Sequence, residues 1–234
     1  MKSQIKSLKS IYYIFLSLIL MAQNTTAQDW ANLNKYKKNN TALVPLTPGQ
    51  KRIVFMGDSI TEFWSAINPE FFIGKPYINR GISGQTTPQM LIRFRPDVIA
   101  LKPDVVVLLA GINDIAGNTG TSTTEMIADN IFSMAELAKA HQIKVILCSV
   151  LPAFDFPWAI GLQPAEKVVN LNKIIQKFAN TNGILYLDYY SAMVDERSGL
   201  KAIYSEDGVH PNKTGYEVMN LLAEKAIEKV LSKS

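Results

Sequence analysis

From residue 104 to 110 the chain reads Asp-Val-Val-Val-Leu-Leu-Ala, and the run stops at Gly111. A strand with one wet face alternates apolar and polar residues, so an unbroken aliphatic run predicts a central strand of a parallel sheet, buried on both faces. Shorter runs of the same kind stand at 53–56, 77–79, 144–150 and 184–187, and amphipathic stretches fill the intervals. Helices are predicted over 59–65, over 87–94 with a stop before Pro96, from the capping box Ser122-Thr123-Thr124-Glu125 to His141, over 165–182, and over 213–232. Five strands alternating with helices, joined by right-handed crossovers, predict an α/β fold: a three-layer α/β/α sandwich around a doubly wound, five-stranded parallel sheet.

The first residues read as an address rather than as structure. Lys2, Lys6 and Lys9 precede an apolar run over 11–22, and Thr25-Thr26-Ala27 offers small residues for cleavage. Together they predict a signal peptide over 1–27 and a secreted or periplasmic protein, with an uncleaved membrane anchor as the weaker alternative. The run is too short to span a bilayer comfortably, and no later segment reaches the roughly 20 apolar residues a membrane helix needs. Residues 28–50 are polar and end in Pro-Leu-Thr-Pro-Gly, which predicts a lead-in with a helical turn or two over 30–36, lying against a single domain over 51–234.

Charge and cysteine usage close off several function classes. Of the net charge of +4, three units belong to the leading lysines, so little basic excess remains beyond them. The cluster Lys35-Tyr36-Lys37-Lys38 is not extended into a stripe, which argues against a nucleic-acid surface. Cys148 is the single cysteine and lies in an apolar run, so no intramolecular disulfide forms and a buried small hydrophobe is expected. His141 and His210 are the only histidines, and neither sits in a zinc-type spacing, so no metal is expected.

In an open α/β sheet, ligands bind at the carboxyl ends of the strands. There the chain places Ser59 after the first strand, Gly81 after the second, Asn113 after the third, and Asp207-Gly208-Val209-His210-Pro211 before the last helix. Acyl transfer needs a nucleophile, a base, a carboxylate to orient the base, and donors for an oxyanion. Ser59 supplies the nucleophile. His210 is the expected base, since His141 ends a helix that emerges at the opposite face. Asp207, three residues before His210, orients it, while the Ser59 N–H, the Gly81 N–H and the Asn113 amide are the candidate oxyanion donors. Asp58 and Asp114 are expected to be structural. Trp64, Phe154, Phe156 and Trp158 are candidates to line an acyl or sugar pocket, or else ordinary packing aromatics.

Four blocks carry a resemblance. Gly57-Asp58-Ser59-Ile60, Asn79-Arg80-Gly81-Ile82-Ser83-Gly84, Gly111-Ile112-Asn113-Asp114 and Asp207-Gly208-Val209-His210-Pro211 resemble, in order, the blocks of the SGNH superfamily of GDSL-type esterases and lipases, with Ile60 for the usual Leu. The resemblance implies a flavodoxin-like sandwich, a Ser59–His210–Asp207 triad, an oxyanion hole of Ser59, Gly81 and Asn113, and neither metal nor organic cofactor. An α/β-hydrolase elbow would need Gly where Thr61 stands. The expected function is an exported serine esterase for short acyl or acetyl esters of glycan or lipid alcohols. A lysophospholipase-type acylhydrolase and a non-catalytic carbohydrate-binding protein are the alternatives. A nucleotide-binding role has no Gly-x-Gly-x-x-Gly or Walker pattern to support it.

Overall fold

Each aliphatic run forms a strand where helices cover both of its faces. The computed structural model describes residues 29–232, so the predicted signal peptide lies outside the described residues. The main compact unit begins at Ala31. Ile53–Gly57 (β1), Tyr77–Gly81 (β2), Val105–Leu109 (β3), Lys144–Cys148 (β4) and Leu185–Leu187 (β5) pair in parallel in the order β2-β1-β3-β4-β5. Every residue of β1 and β3 is buried, as their sequences demand. Gly57, Gly81 and Leu109 share one register level, so three strand ends finish side by side.

The helices divide into two layers. Lys37–Thr41 (α1) precedes the sheet, and Ser59–Ile67 (α2), Thr87–Asp97 (α3), Ile112–Ile115 (α4), Thr124–Ala140 (α5), Ala165–Thr181 (α6), Tyr190–Met193 (α7) and Lys213–Leu231 (α8) follow. Helix α5 packs on both α3 and α6, where Phe132 and Phe178 stack with ring centroids 3.8 Å apart. On the other face α2 meets α8: Trp64 stacks on Tyr216 at 5.6 Å, and its indole N–H donates to Asn220 Oδ1 at 2.8 Å. The strand order reverses between β1 and β3, which makes the crevice beyond their ends the natural ligand site.

Several boundaries differ from expectation for local reasons. Helix α3 runs through Pro96 to Asp97, because Asp97 pairs with Arg93 one turn earlier at 3.0 Å and a proline in the last turn forfeits little of the ladder. Helix α5 is capped by Thr123, whose side chain accepts from the Met126 N–H at 3.2 Å. At its other end stands His141, with Nδ1 2.9 Å from the Leu137 carbonyl. The turns expected over 30–36 are non-helical, and the helix begins at Lys37 instead. The lead-in is fastened to the domain: the Tyr36 hydroxyl donates to the Gly81 carbonyl, Arg80 lies 4.7 Å over the Tyr36 ring, and Arg80 Nε donates to Asn40 Oδ1 at 2.9 Å. Burial pushes the Tyr36 phenol up to about 12, helped by nearby Glu62. Cys148 is buried at the end of β4, where burial raises its thiol pKa.

Candidate active site

Ser59 is the first residue of α2, delivered there by the end of β1. Asp58 caps the helix: its Oδ1 accepts from the Ile60 N–H at 2.9 Å. Its other oxygen, Oδ2, meets no partner among the described residues, and burial lifts this carboxyl to about 7 against the pull of the Ile60 bond. The Ser59 side chain points the other way, toward the loop that precedes α8, and the residue is only 6% exposed. Its Oγ lies 2.9 Å from His210 Nε2.

The Asp207–His210 turn is built by one carboxylate. Asp207 Oδ1 accepts from the main-chain N–H groups of Val209 at 2.9 Å and His210 at 2.7 Å and from Ser205 Oγ at 3.1 Å, while Oδ2 lies 2.6 Å from His210 Nδ1. Burial alone would raise the Asp207 pKa, but the bonds from the His210 ring and from these N–H groups hold it below the usual carboxylate range. An ionised Asp207 can only accept, so Nδ1 carries the proton and Nε2 is left to accept from Ser59. Helix α8 is capped by Asn212, whose side chain accepts from the Gly215 N–H at 3.0 Å, so Asp207 is free of that task.

The donor side requires a correction. Gly81 is the last residue of β2; its N–H donates to Asn79 Oδ1 at 2.8 Å, and its carbonyl accepts from Tyr36. A Cβ there would stand 2.1 Å from the Glu62 nitrogen, so Gly81 is glycine because the strand runs hard against the first turn of α2. Its N–H is committed and is not the free donor expected of it. Three residues on, Gly84 turns the chain at φ +75°, and its N–H has no acceptor among the described residues. Asn118 Nδ2 ties the Gly84 carbonyl, at 3.1 Å, to Asn113 Oδ1, at 3.0 Å. The Asn113 amide nitrogen therefore faces the same loop, giving one hydrogen to the Gln85 carbonyl at 3.1 Å and keeping the other. The Ser59 N–H, at the start of α2, has no partner among the described residues either. Asp114, next to Asn113, caps α3 by accepting from the Thr87 N–H and hydroxyl, the latter at 2.6 Å.

The four candidate aromatics separate into two pairs. Trp64, 1% exposed, is stacked between Phe71 at 4.9 Å and Tyr216, so it is core and lines no pocket. Phe156 is fully buried too, yet it serves as the floor on which Trp158 stacks at 5.2 Å. Trp158, half exposed, stands 5.9 Å from the His210 ring. Phe154 is exposed beneath Arg197, at 5.0 Å, in a depression of about 260 Å³ that reaches Asp207 and Gly208. Phe63, which was not among the candidates, also lies near the His210 ring, at 5.4 Å. Its signal was present: four residues after Ser59 on a helix, it shares the nucleophile's face, whereas Trp64 is turned a further 100° into the core. Among the described residues no group of three or more His, Cys, Asp or Glu side chains is arranged to hold a metal ion, and no helix is long and apolar enough to cross a membrane.

Residues 55–218 match the profile of the GDSL-like lipase/acylhydrolase family. The chain belongs to that family. Among the relatives of this GDSL-like chain is an acetylxylan esterase of Xylanibacter ruminicola, 28% identical over 176 residues, a match covering 64% of this chain and 35% of that protein. The chain thus spans about a third of that relative's length. Two solved structures are more similar. A proposed acylhydrolase of Bacteroides fragilis is 48% identical with TM-score 0.86, covering 87% of this chain and 99% of the other. A GDSL-like lipase of Bacteroides thetaiotaomicron is 49% identical with TM-score 0.83, covering 85% and 98%. The five-stranded parallel sheet with helices on both sides is the SGNH hydrolase fold.

Proposed function

We propose that this chain is an exported serine esterase that hydrolyses short acyl esters through an acyl-Ser59 intermediate. The observation that carries this reading is the continuous chain of Ser59 Oγ to His210 Nε2 at 2.9 Å and His210 Nδ1 to Asp207 Oδ2 at 2.6 Å. His210 takes the Ser59 proton as Oγ bonds to the ester carbonyl carbon, and the carbonyl electron pair moves to oxygen. That oxyanion sits among the N–H groups of Ser59 and Gly84 and the free hydrogen of Asn113 Nδ2, aided by the positive end of α2. Collapse breaks the bond to the alcohol, which leaves with the proton from His210. Water, deprotonated by His210, then attacks the acyl carbon, releases the acid and restores Ser59.

The alcohol oxygen must come within about 3 Å of His210 Nε2 to be protonated, so whatever flanks the imidazole touches the alcohol. Trp158 and Phe63 are those flanks, with Phe154 further out along the same rim. A tryptophan face held by a buried partner suits a sugar ring, in keeping with the acetylxylan esterase among the relatives. The leading segment over 1–27 supports export. The test is Ser59→Ala against a nitrophenyl ester series of rising acyl length. The reading expects turnover confined to the shortest esters and lost in the variant. Preference for long acyl chains would move the assignment to a lysophospholipase-type acylhydrolase, and full turnover by the variant would refute the mechanism.

A further inference from the structure

Arg93, on α3, is completely buried, an expensive place for a permanent charge. Asp97 Oδ2 balances it from 3.0 Å, but one carboxylate does not explain where the rest of the guanidinium goes. Nη2 donates to the Gly57 carbonyl at 2.9 Å, two residues before Ser59, and Nε donates to Gln85 Oε1. Gln85 directly follows Gly84, and its main-chain carbonyl is the acceptor that holds the Asn113 amide at 3.1 Å. Its own Nε2 donates to the Ala31 carbonyl at 2.7 Å, so the residue is fixed from both ends. One planar group therefore spans the nucleophile's loop and the loop that presents Gly84 and aligns Asn113.

We propose that Arg93 is a positioning residue for the oxyanion donors: by gripping Gly57 and Gln85 together, it sets the distance between Ser59 and the Gly84–Asn113 side of the site. It does not touch substrate. The inference rests on the reading of Ser59 as nucleophile. Lysine in its place would keep the charge near Asp97, but a tetrahedral ammonium on a flexible stem cannot hold three acceptors disposed around a rigid plane. Displacements of this kind are costly out of proportion to their size, since a shift of about 1 Å in a reacting group can lower turnover about 100-fold.

The test measures kcat per active site, titrated with a fluorophosphonate, for Arg93→Lys, Gln85→Leu and Gln85→Glu. The expected result for Arg93→Lys is a kcat per titrated site lower by about 10- to 100-fold, the range set by partial loss of oxyanion donors. KM should stay within about twofold, and the pH midpoint should not move, because His210 and Asp207 are untouched. Gln85→Leu should fall in the same direction, while Gln85→Glu, which keeps an acceptor for the guanidinium, recovers most of what the leucine loses. A purely structural Arg93 would lower the melting temperature and the titrated fraction while leaving kcat per site at the wild-type value, and that outcome overturns the proposal. If Arg93→Lys does not fold, Gln85→Leu decides alone, with wild-type kcat per site counting against it. Failure of the wild-type chain to react at Ser59 would refute the nucleophile assignment itself, a result distinct from labelled variants with unchanged turnover.

Discussion

The two sides of His210 are built on opposite principles. On the Ser59 side, the residues are buried and nearly every polar atom is tied: Asp114 to Thr87, Asn113 to Asn118 and Gln85, Arg93 to three acceptors. Among the described residues the N–H groups of Ser59 and Gly84 and one Asn113 hydrogen are left over, and these are the donors the proposed mechanism assigns to the oxyanion. On the opposite side, residues 151–164 expose Phe154, Trp158, Ile160 and Leu162, and the loop is held by Asp155 accepting from the Phe156 and Gly161 N–H groups at 2.9 and 2.7 Å. On the proposed reading the contrast divides labour: a rigid polar network would set the reaction, and an exposed apolar rim would choose the alcohol. Removing an atom from the first should change kcat; removing one from the second should change KM.

The largest effect is expected at His210. His210→Ala leaves Ser59 without a proton acceptor and should lower kcat by at least about 1,000-fold on every ester, measured with nitrophenyl acetate; the loss should not depend on the alcohol. Asn113→Ala removes one oxyanion donor and should cost about 100- to 1,000-fold in kcat, or about 3 to 4 kcal/mol, with KM nearly constant. Trp158→Ala should be smaller and of a different kind, raising KM about 10-fold for acetylated sugars and hardly at all for nitrophenyl acetate. A Trp158 effect carried equally by both esters and by kcat would erase the distinction between the two sides.

The last effect is on stability and not on turnover, and concerns Asp58. Its carboxyl is raised to about 7 by burial, whereas an unfolded aspartate titrates near ~3.9. Between these values the folded chain holds a proton that the unfolded chain has lost, so this group's contribution to stability falls as pH rises, by roughly 1.4 kcal/mol per pH unit at most. Asp58→Asn keeps an acceptor for the Ile60 N–H and removes the titration. The melting temperature of the variant relative to the wild type should therefore climb from pH 4 to pH 7. A difference independent of pH would show that Asp58 does not titrate in this window.

The sheet was legible because parallel central strands must be aliphatic on both faces, and β1 and β3 carry nothing else. Ser59, Asp207 and His210 stand where strand or helix boundaries expose short polar runs, and the fold brings the three side chains within hydrogen-bonding distance. Gly81 misled because sequence does not reveal which glycine of Gly81-Ile82-Ser83-Gly84 still belongs to the strand; the pairing of Gly57 with Gly81 decides it. Arg93 was passed over, although a charge between Met90 and Phe94 on the buried stripe of α3 is a sign of an internal partner. The aromatics could not be sorted by type: Trp64 and Trp158 are the same residue, one locked under α8 and the other open beside His210.

The central claim is that Ser59 carries the acyl group, and the most direct measurement is peptide mapping of the chain after reaction with a fluorophosphonate. The account predicts one phosphonyl group per chain, on the peptide containing Ser59, with activity lost in proportion to labelling and no label in Ser59→Ala. Stoichiometric inactivation with the label on another residue, or full esterase activity in a chain labelled at Ser59, would contradict it.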